Sequence, residues 1–402
     1  MEVGDLLERM RDPLGAPFYP PVFQVLLVIT WVLHIFFVTV ALGCSAFAVY
    51  GFVRRGEGRE HRVRLARHAA RATTSATGFG IVTGIAPLLF IQTIYDPIWY
   101  ASNTLTGFWS VVFVFVVMGG YGFAYLFYLK GSPRERLVWS AVASMVLLFF
   151  AGWIMHVLAS VSIRPEQWQD WYAPGGIPDT RGITFHAFNV PRLTFLLPLQ
   201  AGLGLAVVLA LYAWYYGRRD DADEPYLAWV ASLARRLGLA VSPLYALAGV
   251  AWALTEGRSL DVAIPVGVAT GGLGVALFGL FFLVKDPARR APRMLWGWLA
   301  ALAVVAVTRE YIRATVLDRF GYSVSRYPYV VDWGSVLLFA VTTVAGGAVV
   351  VYFAMVLFQA GLRADGGPIS RRVERLGRIS FAMLGAWFAF FLLLGGYAVV
   401  VL

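Results

Sequence analysis

The chain has 402 residues, of which 59% are hydrophobic and only 14% charged, and its mean hydropathy is +0.70. That balance excludes a soluble globular domain, and the net charge of +10 sits in alternate connections, which is not a nucleic-acid footprint. Cys44 is the only cysteine, so intrachain disulfides, four-thiolate iron–sulfur clusters and heme attached through Cys-x-x-Cys-His are excluded.

Met1 to Tyr19 mixes Glu2, Asp5, Glu8 and Asp12 with Arg9 and Arg11. It lacks the basic-then-apolar order of a removable signal peptide, and none is expected. Ten apolar segments follow, approximately 22–53, 70–94, 105–129, 137–163, 193–216, 226–254, 262–284, 294–317, 333–362 and 379–402. Each is long enough for a helix to cross about 30 Å of hydrocarbon. Because a backbone in lipid must satisfy its own hydrogen bonds, the fold class is all-α, a polytopic transmembrane helical bundle. Residues 1–220 and 221–402 are read as two helical modules.

The connections after spans one, three, five, seven and nine carry the arginines, among them Arg54, Arg62, Arg134, Arg218, Arg290 and Arg372. The positive-inside rule turns these connections to the cytoplasm and both termini outward. The opposite connections are aromatic: Trp168, Trp171 and Tyr172 in one, Tyr322, Tyr327 and Tyr329 in another. They read as interfacial anchors, while 164–191 is also long enough to dock a partner.

The first span carries His34, about 18 Å below its outer end at 1.5 Å per residue. The second carries Gly78, Gly80 and Gly84, small residues that let a backbone or a flat cofactor approach, and then Pro87, where a kink is expected. His156 lies about 10 Å from the outer end of the fourth span. Either histidine could be an axial heme ligand, or could hydrogen-bond a carbonyl or a threonine on the next helix. His61 and His68 lie among arginines and read as solvated; His186 has no metal partner in sequence. Arg309, Glu310 and Arg313 end the eighth span as an interfacial ion-pair cluster or a polar site for a quinol head group, a lipid phosphate or a proton exit. Gly271, Gly272, Gly274, Gly346 and Gly347 read as packing surfaces.

Over roughly the first 220 residues these features resemble subunit I of the cytochrome bd quinol oxidases. Leu33 to Gly43 is similar to the family's first-helix segment with its heme-ligating histidine. Phe79 to Gly84 resembles its Gly-x-x-Thr-Gly stretch, Gly152 to Met155 the end of its fourth helix, and Phe188 and Asn189 the entry to its fifth. The family's fifth-helix histidine, third-helix glutamates, Gly-Arg-Gln-Pro-Trp motif and quinol loop are not matched; Gly257 and Arg258 alone do not replace that motif. The resemblance therefore implies a bd-like subunit that keeps one heme b on His34, or none, and does not reduce oxygen by itself. It would sit among lipids in the cytoplasmic membrane of a prokaryote and work with quinone and other respiratory subunits, such as an external multiheme cytochrome. A cofactor-free scaffold and, third, a transporter are the alternatives. For the topology, a reporter active only in the periplasm works when fused after Leu402; activity of a cytoplasm-only reporter there contradicts the ten-span arrangement.

Overall fold

A computed structural model describes residues 2–256, 259–363 and 368–401. Gly257 and Arg258 lie outside the described residues. Ten helices are long and apolar enough to cross a membrane, and the protein is an all-α polytopic helical bundle. Among the described residues the only strand-like pairing is an isolated bridge between Ala16 and Tyr329.

In chain order, α1 spans Val3–Arg9, α2 Pro20–Val53, α3 Arg59–Ile94, α4 Asp96–Leu105, α5 Gly107–Leu126, α6 Val138–Ser162 and α7 Trp168–Tyr172. Then come α8 (Val190–Thr194), α9 (Gln200–Tyr216), α10 (Glu224–Glu256), α11 (Leu260–Leu283), α12 (Pro287–Asp318), α13 (Trp333–Ala360) and α14 (Arg371–Val401). A π-helical turn, Phe195–Leu199, joins α8 to α9 around Pro198, whose ring nitrogen cannot donate. Pro87 lies within α3, which runs on to Ile94.

Several helices project beyond the apolar stretch that defined them in sequence. The arginines from Arg59 to Arg67 stand on the first turns of α3, not in a loop. One face of that extension turns inward, so His61 and His68 are not solvated as expected. His61 packs on Tyr226 and Trp229, and His68 on Tyr212 and Tyr216.

The main core lies where α2, α3, α9, α10, α11 and α12 meet, around Phe195, Tyr245, Trp252, Phe281 and Trp298. Residues on both sides of position 220 share it. Phe195 stacks on Tyr245 with centroids 3.9 Å apart. Helices α13 and α14 bury little of themselves and pair chiefly with each other, through bonds such as Trp387 Nε1 to Thr342 Oγ1 at 2.8 Å.

The arginine-rich connections gather at one end of the bundle. Arg59 and Arg67 both pair with Glu135, at 2.6 and 3.0 Å, and Arg64 pairs with Asp223 at 2.6 Å. Arg219 donates to the Gly361 carbonyl at 3.2 Å. At the opposite end the N-terminal arm folds over the 318–332 segment: Ala16 N–H donates to Pro328 O at 2.8 Å and Val330 N–H to Ala16 O at 2.9 Å. Arg11 lies over the Tyr322 ring at 4.5 Å. Tyr322 and Tyr327 are consequently buried, and so is Trp168, whose Nε1–H donates to Val161 O at 2.9 Å; these are not interfacial anchors as read from sequence, whereas Tyr172 and Tyr329 stay exposed.

The glycine readings divide. A Cβ on Gly274 would meet Ala246 Cβ at 2.5 Å, and one on Gly271 the Val250 side chain at 2.8 Å, so these are close helix contacts. Gly272, Gly346 and Gly347 face no neighbour within 4 Å and are not packing surfaces. Gly274→Leu should therefore cost about 1–3 kcal/mol through overpacking, read as a lower melting temperature in detergent, while Gly272→Leu leaves the melting temperature nearly unchanged. Equal effects contradict this packing.

Candidate functional site

His34 faces α3. Its Nδ1 lies 2.9 Å from the Gly80 carbonyl oxygen. A carbonyl can only accept, so Nδ1 carries the proton and Nε2 keeps its lone pair in the neutral ring. Nε2 has no protein partner among the described residues. Gly84 makes the approach possible: a Cβ there would sit 2.9 Å from His34 Cε1. The glycines of the second span thus make room for an imidazole, one turn apart on the face that meets α2. Gly78 instead lies against the Tyr121 hydroxyl.

Near His34, Arg309 of α12 sets its guanidinium 4.2 Å from the centroid of Trp31, which precedes His34 by one turn of α2. It makes no ion pair among the described residues. Glu310 points into a separate cluster. It pairs with Arg313 one turn along the same helix and accepts from the Tyr95 hydroxyl and from Gln24 Nε2, the latter at 2.9 Å. Arg313 also lies 4.9 Å from the Tyr95 ring centroid. A cleft of about 350 Å³ opens next to this cluster, with Gln24, Tyr95, Thr315 and Ser323 among its lining. Tertiary contacts therefore separate Arg309 from Glu310 and Arg313, although the three adjoin in sequence.

His156 serves another network. Its Nε2 accepts from Asn189 N–H at 3.0 Å, which occupies the lone pair a metal would need. The Asn189 side chain caps α8 by accepting from Arg192 N–H at 2.9 Å. Arg192 reaches Ser160 and the His156 carbonyl and pairs with Glu256 at 2.8 Å. Arg164 pairs with the same carboxylate at 3.3 Å. The Glu256 side chain is only 2% exposed. The two histidines are thus held by different partners, His34 by Gly80 O and His156 by Asn189 N–H.

Sequence reading missed Glu256 and Arg192 as a pair. One is the last residue of α10 and the other lies just after Pro191, so both looked like loop edges. It also missed Gln24 and Tyr95 as partners of Glu310. The only signal was that each is polar at the margin of an apolar run. Among the described residues no group of three or more His, Cys, Asp or Glu could hold a metal ion.

No protein-family model matches the chain. Over 134 residues, 33% of this chain, it is 32% identical to the iron(3+)-hydroxamate import system permease protein FhuB of Salmonella typhimurium. The match covers 19% of that protein, so the chain spans about a fifth of its relative's length.

Removing Glu256 strands two arginine charges in a buried site. Loss of one partner of such a group costs about 3–5 kcal/mol, whereas exposed pairs are worth about 0–1 kcal/mol. Glu256→Ala is expected to lower the melting temperature sharply and Asp221→Ala, which breaks an exposed pair with Arg219, to leave it almost unchanged. A Glu256→Ala protein as stable as wild type contradicts the network.

Proposed function

We propose that the chain is the integral membrane subunit of a respiratory electron-transfer complex in a prokaryotic cytoplasmic membrane. It holds one heme b on His34 and links the quinone pool to a redox partner on the outer face, such as a multiheme cytochrome. The arginine-rich end of the bundle faces the cytoplasm and both termini face out.

The observation that carries this reading is the oriented imidazole. An Nδ1–H donated to a backbone carbonyl is the usual support of a metal-ligating histidine, because it fixes the ring and leaves Nε2 as the ligand. The residues fit a heme with one protein ligand: His34 supplies the lone pair, Gly80 orients it, and Arg309 offers a positive charge beside it. When bound, the heme supplies one-electron chemistry. The resemblance to cytochrome bd subunit I at Leu33 to Gly43 and Phe79 to Gly84 supports the same assignment. The Glu310 cluster, with Gln24 and Tyr95 at the edge of its cleft, offers hydrogen bonds to a quinol head group. Exposed residues of 164–191 and 318–332, such as Tyr172, Ile177 and Tyr329, remain for a partner.

A second reading is transport, favoured by the likeness to FhuB. Against an ion-coupled form of it, Glu256 and Glu310 are both already neutralised by arginines.

In isolated membranes, a reduced quinol analogue should reduce a b-type heme in wild type, and His34→Ala should abolish the signal while His156→Ala keeps it. Heme reduction that survives in His34→Ala removes the assignment. A chain without heme that binds a ferric hydroxamate selects transport; one that does neither selects the scaffold.

A further inference from the structure

At the arginine-rich end, a groove of about 420 Å³ is lined by Tyr50 of α2, Arg62 of α3, and Trp229, Leu233, Arg236 and Leu237 of α10. We propose that this groove binds an anionic phospholipid, with the phosphate between Arg62 and Arg236 and an acyl chain running past Leu237.

Charge is the first argument. Two guanidiniums line the groove and no carboxylate does. Glu57 and Glu60, the nearest acids in sequence to Arg62, are outside the lining. Arg236 is exposed and makes no hydrogen bond or ion pair among the described residues. Arg62 is held in place by the last carbonyls beyond α2, donating to Gly56 O at 3.1 Å and Arg55 O at 3.3 Å. Those contacts neutralise no formal charge. Its Nε–H, although buried, has no acceptor among the described residues. Arg62 also stands in the first turn of α3, where the helix dipole favours an anion.

Position is the second argument. Arg236 precedes Glu256 on α10 by about 20 residues, or about 30 Å at 1.5 Å per residue. That equals the thickness of the hydrocarbon layer, about 30 Å. Glu256 belongs to the charged network at the other end of the bundle, so Arg236 lies at the opposite head-group level. The lining follows the same gradient. Arg62 and the indole and phenol of Trp229 and Tyr50 suit the interface, and Leu237 lies on the membrane side of Arg236. Basic pockets between membrane helices are recognised sites for phosphate-bearing head groups. A choline head group would bring a second cation against two arginines and is disfavoured there.

The test uses the full-length chain, purified in detergent, stripped of lipid and titrated by native mass spectrometry with phosphatidylglycerol or phosphatidylcholine. Phosphatidylglycerol is expected to bind more tightly, and Arg236→Gln to weaken it about fivefold with no change for phosphatidylcholine. Arg236→Lys should retain most of the affinity. An unchanged melting temperature for Arg236→Gln separates the effect from misfolding, and Trp229→Leu provides an independent second lesion of the groove. Inorganic phosphate in large excess should not displace the lipid. Equal binding of the two lipids, or no loss in either Arg236→Gln or Trp229→Leu, overturns the proposal. Full displacement by inorganic phosphate also overturns it, by showing that the site takes a free anion.

Discussion

The structure depends on the cost of leaving a polar group unpaired where water cannot reach it. Hydroxyls inside the spans bond back to their own helix, as Thr73 does to Ala69 O at 2.9 Å and Thr270 to Val266 O at 2.7 Å. Glu256 is matched by two arginines, and Glu310 by an arginine, a tyrosine and a glutamine. Of the buried side-chain atoms left without a partner inside the spans, those on Gln200, Trp252 and Trp298 are donors, and Ser144 Oγ can donate or accept. His34 Nε2, on a half-buried side chain, is a lone pair with no donor among the described residues. In a membrane interior that is the kind of atom a cofactor metal satisfies.

The two charged groups at the end opposite the arginine-rich connections also fix the helices that carry the candidate site. Glu256 of α10 ties to Arg192 of α8 and Arg164 after α6, while Glu310 of α12 ties to Gln24 of α2 and to Tyr95 between α3 and α4. On α2 the Gln24 tie lies ten residues from His34, about 15 Å along the helix at 1.5 Å per residue. Four arginines meet two carboxylates there, and Arg309, the one beside His34, is the arginine without a carboxylate among the described residues. Its charge is set against the Trp31 ring, where a cation is moderately stabilised. His34 and Arg309 therefore bring a neutral lone pair and a positive charge without a carboxylate onto neighbouring helices, the pair on which the proposed heme rests.

The spans were legible because length and apolarity dominate in a bilayer; their bounds differ from the helices mainly where a helix begins before its apolar stretch, as α3, α12 and α14 do. His34 was legible too, since an imidazole in an apolar run needs a partner, although the sequence could not choose between Gly80 and a cofactor. The Glu256 network was not legible. Glu256 and Arg164 are far apart in the chain and each sits where a span appears to end, so neither looked buried. Gly272, Gly346 and Gly347 failed for the opposite reason: composition suggested packing, but only a neighbouring helix on that face makes a glycine necessary. Tyr322 and Tyr327 read as interfacial because nothing in their own segment announced that the N-terminal arm would cover them.

The central claim is that the unpaired lone pair of His34 is a ligand. The most direct measurement is iron content together with a dithionite-reduced-minus-oxidised absorption spectrum of the purified full-length chain. The account predicts one iron per chain and the bands of a b-type heme. A folded chain, intact by its melting temperature, that carries neither iron nor a Soret band after expression with ample heme would contradict it.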